Sequence, residues 1–192
     1  TIILIYLATS DFIEKLTVVY ATQTQNKLRD NMDYLLADVN EMSLLIMQDN
    51  EIVGLMNGEY SAGSNEDLQR KLIVREKFRN VYMNSYDFRT EINIIDEERD
   101  IVFSSYSNID VLKILNSEWY TTSKLKGKNL VFVPTHETQY KYDAMTSAVT
   151  LMRKFRYVSN PKIVMGHILI DINFNDFQKV FSNFDANDIF VI

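Results

Sequence analysis

Two aromatic strings and a few charged residues carry most of the chemistry legible in this 192-residue sequence. EWYTTS sets Trp119 beside Tyr120, and THETQYKYD supplies Tyr140, Tyr142 and Asp143. Arg153 and Arg156 follow in a β-branched and aromatic run, and Asp171 interrupts the last apolar run. An aromatic wall with a few convergent charged groups is the composition of a small-ligand pocket. Trp119, Tyr120, Tyr142, Asp143, Arg153 and Asp171 are therefore the candidate ligand-binding residues. Each also has a purely structural reading: Trp119 as core filling, Asp171 as a cap on the helix that follows, Arg153 on an outer strand face.

Catalytic vocabulary is sparse. The sequence has no glycine-rich phosphate loop, no G-x-S-x-G and no H-E-x-x-H. Absence of cysteine removes disulfides, thiolate nucleophiles and Cys-ligated zinc. His136 and His167 stand far apart; His167, beside a strand, reads as structural, and His136, in PTHETQY, reads as a candidate loop ligand that no second ligand follows at helical spacing. The acidic run DEERD lacks the glycine and the spaced oxygen ligands of a calcium loop. The expectation is a non-catalytic fragment with no metal and no cofactor.

The elements that must position these residues follow from pattern. Ser10 or Asp11 followed by Glu14 has the form of a helix start. Leu28, Met32, Leu35, Val39, Met42 and Ile46 step by four and three, a heptad seam that Leu36 and Leu45 widen. One long helix is predicted from Ser10 to about Asn57, bent near Thr22 to Asn26. Gly54, Gly58 and Gly63 punctuate its end, and a second helix is predicted from about Glu66 to Asn84. Phe88 to Ser105 reads as a hairpin around a polar centre, Asp96 to Asp100, without the glycine of the tightest turns. A helical segment, Asn108 to Lys124, leads to strands at Asn129 to Pro134, Ala144 to Arg156 and Ile163 to Asn173. SNPK, Ser159 to Lys162, makes the turn between the last two. In GHILIDINFNDFQKVF, Gly166 to Phe181, the apolar period changes from strand-like to helical. The fold class expected is α+β: a long N-terminal helix beside an antiparallel sheet of about five strands.

A formal net charge of −6 argues against nucleic acid, which needs a cationic face to displace counterions. Arg70, Lys71, Arg75, Lys77 and Arg79 alternate with apolar residues, as on a solvated helix face. TIILIYLA at the start is shorter than the ~20 apolar residues of a membrane span. It reads as the outer end of one, or as a short core segment.

INIIDEERDIVFSS, Ile92 to Ser105, resembles the first hairpin of PAS-like sensor domains, and Gly166 to Phe181 resembles the last strand and exit helix of the Cache group of extracytoplasmic sensors. The order of elements is similar to that of the outer region of YesM-type bacterial membrane histidine kinases. The resemblance implies a helix leaving a membrane span (residues 1–62), a PAS-like sensing sheet (63–184) and the start of a second module (185–192, ending NDIFVI). Amino-acid-binding Cache domains use an Arg-x-Trp-Tyr stretch, then a Tyr and Asp, then a late Asp. Trp119, Tyr120 and Asp171 match, Tyr142 and Asp143 lie near the middle pair with a different spacing, and Ser117 stands where the arginine would be.

The function expected from this resemblance is sensing at the outer face of the cell membrane, in a membrane-anchored parent. The signal is a sugar, peptide, amino acid or solute-binding protein, and the long helix pairs two copies. The alternatives are an interaction or structural ectodomain module without a small-molecule ligand, a chemoreceptor sensor domain, and an enzyme fragment.

Overall fold

The computed structural model describes residues 2–57, 61–83, 90–106, 109–138, 147–156 and 162–182, with side chains among them from 13 to 179. The predicted turn at 159–161 and the closing 187–192 lie outside these. By compactness the chain divides into two units, Asp38–Phe177 and Thr1–Ala37 with Gln178–Ile192.

Helix α1 spans Ile2–Gln48. The helix is continuous through the polar stretch near Thr22 to Asn26, and Thr17 and Thr22 donate their hydroxyls to the carbonyls of Ile13 and Val18, each at 2.8 Å. Leu35, Val39, Met42 and Ile46 are buried, while Leu28 and Met32 are half-buried; Leu45 is 45% exposed and lies outside the seam. Among the described residues no helix is long and apolar enough to cross a membrane.

The helix does not continue to Asn57 as predicted. Asp49 turns to extended backbone and caps α2 (Asn50–Met56), its Oδ1 accepting the N–H groups of Glu51 and Ile52 at 3.0 and 3.2 Å. A short carboxylate that can satisfy orphan N–H groups competes well against one more turn of helix. Helix α3 (Asn65–Lys77) starts on a reciprocal cap: Ser64 Oγ accepts from Asp67 N–H, and Asp67 accepts from Gly63 N–H. It ends in one π-helical turn, Phe78–Tyr82. Asp49 ties that end back to α2, accepting from Lys77 Nζ at 2.7 Å and Tyr82 Oη at 2.8 Å.

Five antiparallel strands follow: β1 (Thr90–Asp96), β2 (Ile101–Ser104), β3 (Leu130–Glu137), β4 (Ser147–Arg156) and β5 (Val164–Asn173), in the order β2-β1-β5-β4-β3. The β1–β2 turn works without glycine because Asp96 Oδ1 accepts from the N–H groups of Glu98 and Arg99, while Asp100 takes φ +53°. Helices α4 (Val111–Leu115) and α5 (Glu118–Leu125) cross between β2 and β3, and α6 (Phe174–Ser182) leaves β5 directly.

Strand periodicity sorts the sheet into two faces. Ile95, Met152 and Leu169 form one core with Ile114, Tyr120 and Val133, on the side of α4 and α5. Ile92, Ile94, Leu151, Ile168 and Ile170 alternate onto the other side. There Arg153 donates its Nε–H to Ser43 Oγ at 2.7 Å and an Nη2–H to Asn40 Oδ1, docking the 38–48 stretch of α1 on that face. The predicted α+β class is the observed one: a long N-terminal helix with a five-stranded antiparallel sheet, consistent with a PAS/Cache-like domain.

Candidate functional site

Two short helices build the wall of the site. Asp110 caps α4 through the Lys113 N–H, and Ser117 caps α5 through the Tyr120 N–H, with Glu118 in the first turn adding a favourable charge. Successive helical residues diverge by about 100°. Tyr120 therefore turns down onto the sheet, 1% exposed, while Trp119 turns towards the rim. Their rings meet edge to face at 5.8 Å.

The opposite wall is the edge strand β3. Val133 pairs with Thr150 and His136 with Ala148, so three steps on β3 answer two on β4: a β-bulge at Pro134 and Thr135. In an unbroken strand Val133 and His136 would face opposite ways. The extra residue brings both to the α5 side, and His136 stacks on Trp119, ring centroids 4.2 Å apart and planes 28° from parallel. Between these walls lies an open cleft of about 900 Å³, lined by Trp119, His136, Asn116, Thr122 and the charged Lys113, Glu118, Lys126 and Glu137.

A chain of polar contacts runs from the cleft onto the sheet. His136 Nδ1 lies 3.0 Å from the Pro134 carbonyl, which only accepts, so Nδ1 carries a proton. His136 Nε2 lies 3.4 Å from Thr150 Oγ1, and that hydroxyl donates to Asp171 Oδ1 at 2.6 Å. Register sets Thr150 and Glu91 on either side of Asp171. Two positions further along this face, buried Asn93 accepts from Ser104 Oγ at 2.6 Å, and its Nδ2 has no hydrogen-bond partner among the described residues. Polar residues thus gather at one end of this face, beyond Leu169 and Met152.

Tyr120 anchors that wall through a second network. Its hydroxyl donates to Glu97 Oε1 at 2.8 Å and lies 3.0 Å from His167 Nδ1, which is itself 2.8 Å from the same Glu97 oxygen. Lys124 closes the network on the other Glu97 oxygen. Burial and the neighbouring Glu97 push the Tyr120 phenol far up. Burial lowers the His167 pKa, with help from Lys124 and Lys154, and outweighs the pull of Glu97, so the ring is neutral with its proton on Nδ1. Burial works to raise Glu97, but hydrogen bonds from Lys124 and Tyr120 hold it below the usual range.

Of the six predicted residues, the structure brings three to one face: Trp119 in the cleft, Asp171 behind it through Thr150, and Tyr120 as the support beneath. Arg153 is placed on the other face, on α1. Tyr142 and Asp143 lie outside the described residues. His136, Thr150, Asn93 and Glu97 were not among the predicted residues. Pro134 inside a strand pattern was the available signal, since proline within a sheet belongs at edges and bulges. Among the described residues no group of three His, Cys, Asp or Glu side chains could hold a metal ion. No family model and no curated protein matches this chain.

Proposed function

We propose that this chain is the extracytoplasmic sensor domain of a YesM-type bacterial histidine kinase, binding a small solute or a solute-binding protein. One observation carries the reading: strand β4 touches the cleft network on one face and the long helix on the other. Thr150 joins His136 to Asp171, and three residues on, Arg153 joins the sheet to Asn40 and Ser43 of α1. A solute that binds one arrangement of β4 better than another shifts the population of both faces together. The family resemblance supplies the kinase and the membrane anchor of the parent.

Thermal-shift titration with sugars, peptides and amino acids tests this. A solute is expected to raise Tm in the wild type, as any ligand selective for the native state does. Trp119→Ala is expected to weaken that response, and Arg153→Leu to leave it in place. A screen in which no solute moves Tm overturns the small-solute reading. The second reading, an interaction module, draws on the exposed Leu68, Leu72 and Ile73 of α3 and on Ile13, Val18, Val19 and Tyr34 of α1.

A further inference from the structure

We propose that the cleft binds a proton as a signal, with His136 as the receptor and the Thr150–Asp171 pair as the group that reads it. The inference rests on the cleft being the sensing site and names one of its inputs.

Hydrogen-bond bookkeeping carries it. Nδ1 of His136 is committed as a donor to the Pro134 carbonyl, and the Thr150 proton is committed to Asp171. With His136 neutral, its Nε2 lone pair faces the oxygen lone pairs of Thr150 across 3.4 Å, and nothing holds them together. A proton on Nε2 changes that contact into a donor–acceptor pair. It completes an unbroken run from imidazolium through hydroxyl to carboxylate, with Asp171 only 2% exposed. The charged groups that line the cleft with His136 are Glu137 beside it on β3, Glu118 of α5, Lys126 at the C-terminal cap of α5, and Lys113 of α4. On the sheet face the run ends at Asp171, with Glu91 of β1 beside it and His167 two register positions beyond Leu169. Protonation therefore draws the His136 ring towards β4, and Trp119, stacked on that ring, moves with it or loses its partner.

Trp119 is the chain's single tryptophan, so its emission reports on the contact. An imidazolium quenches a stacked indole more than a neutral imidazole does. Emission of the wild-type chain is expected to fall in one step on acidification across about pH 8 to 5, where histidines change charge. His136→Gln is expected to abolish the step. Thr150→Val, which keeps His136 and nearly keeps the side-chain shape, is expected to move the midpoint to lower pH by about half a unit or more, the worth of one hydrogen bond to the charged form. His167→Gln is expected to retain the step. A step that survives His136→Gln, or a midpoint that Thr150→Val leaves in place, overturns the proposal. The solute titrations are read separately: a Tm response to solute without the pH step overturns proton sensing alone.

Discussion

Gly166 is a residue at which the sheet has no room for a side chain. A Cβ built there would lie 1.8 Å from the carbonyl oxygen of Ile95 and 2.8 Å from its carbonyl carbon, both backbone atoms that cannot swing aside. Here β4 and β5 slip by one residue, Phe155 facing Gly166 and Arg156 facing Val164. Gly166→Ala is expected to destabilise the fold by about 3 kcal/mol, the upper part of the range for overfilling a packed interior. The midpoint of urea unfolding measures it. At this scale composition singled out Trp119, which lines the cleft, and Asp171, which accepts from Thr150. The sequence was unreadable where a single inserted residue reversed a side chain's direction, as at His136. The predicted strand ends at Pro134, whereas β3 continues through a bulge to Glu137 and so turns His136 to the same side as Val133.

The helical elements meet at Asp49. One carboxylate caps α2 and receives Lys77 and Tyr82 from the end of α3 and its π turn. Burial works to raise its pKa. Hydrogen bonds from Lys77, Tyr82 and the Ile52 N–H, with the Lys77 charge, outweigh burial and hold it below the usual carboxylate value. A carboxylate depressed in the folded state contributes stability that is fully present above its unfolded pKa. That contribution is lost as pH falls through the folded value. Asp49→Asn is therefore expected to cost stability at neutral pH, and the gap from wild type is expected to close below about pH 4. Chemical denaturation at a series of pH values measures the gap. Helix existence was legible from the heptad steps of α1 and the Ser64 cap of α3. The break at Asp49 was hidden, because an aspartate within a helical pattern looks the same whether it points to water or turns back to cap. The reward for turning came from Lys77 and Tyr82, nearly thirty or more residues away.

Across the Asp38–Phe177 unit the architecture was the most legible feature of all. Alternating and continuous apolar runs gave five strands, and the separation of helices from strands gave α+β. Periodicity carries no information about neighbours, however. The order β2-β1-β5-β4-β3, and with it the placing of Trp119 and Asp171 on one side and Arg153 on the other, came only from the pairing registers. β5 is buried along nearly its whole length, while β3 has one open edge and four exposed or half-exposed residues at its end. Amide hydrogen exchange is expected to be slowest in β5 and its neighbours β1 and β4, and fastest among the strands in β3 at Thr135 to Glu137. Uniform protection across β3 and β5 would contradict this stability gradient.

The central place of β5 has a consequence for how the protein is made. On the ribosome the chain emerges from its N-terminus, so the β1–β2 and β3–β4 ribbons are both synthesised before the strand that separates them. Each ribbon alone is a two-stranded piece of marginal stability. The edges of β1 and β4 that β5 will occupy stay open until Val164–Asn173 is available to pair. Chains that end before Val164 therefore hold two unclosed strand edges and are expected to aggregate more readily than the chain that includes β5.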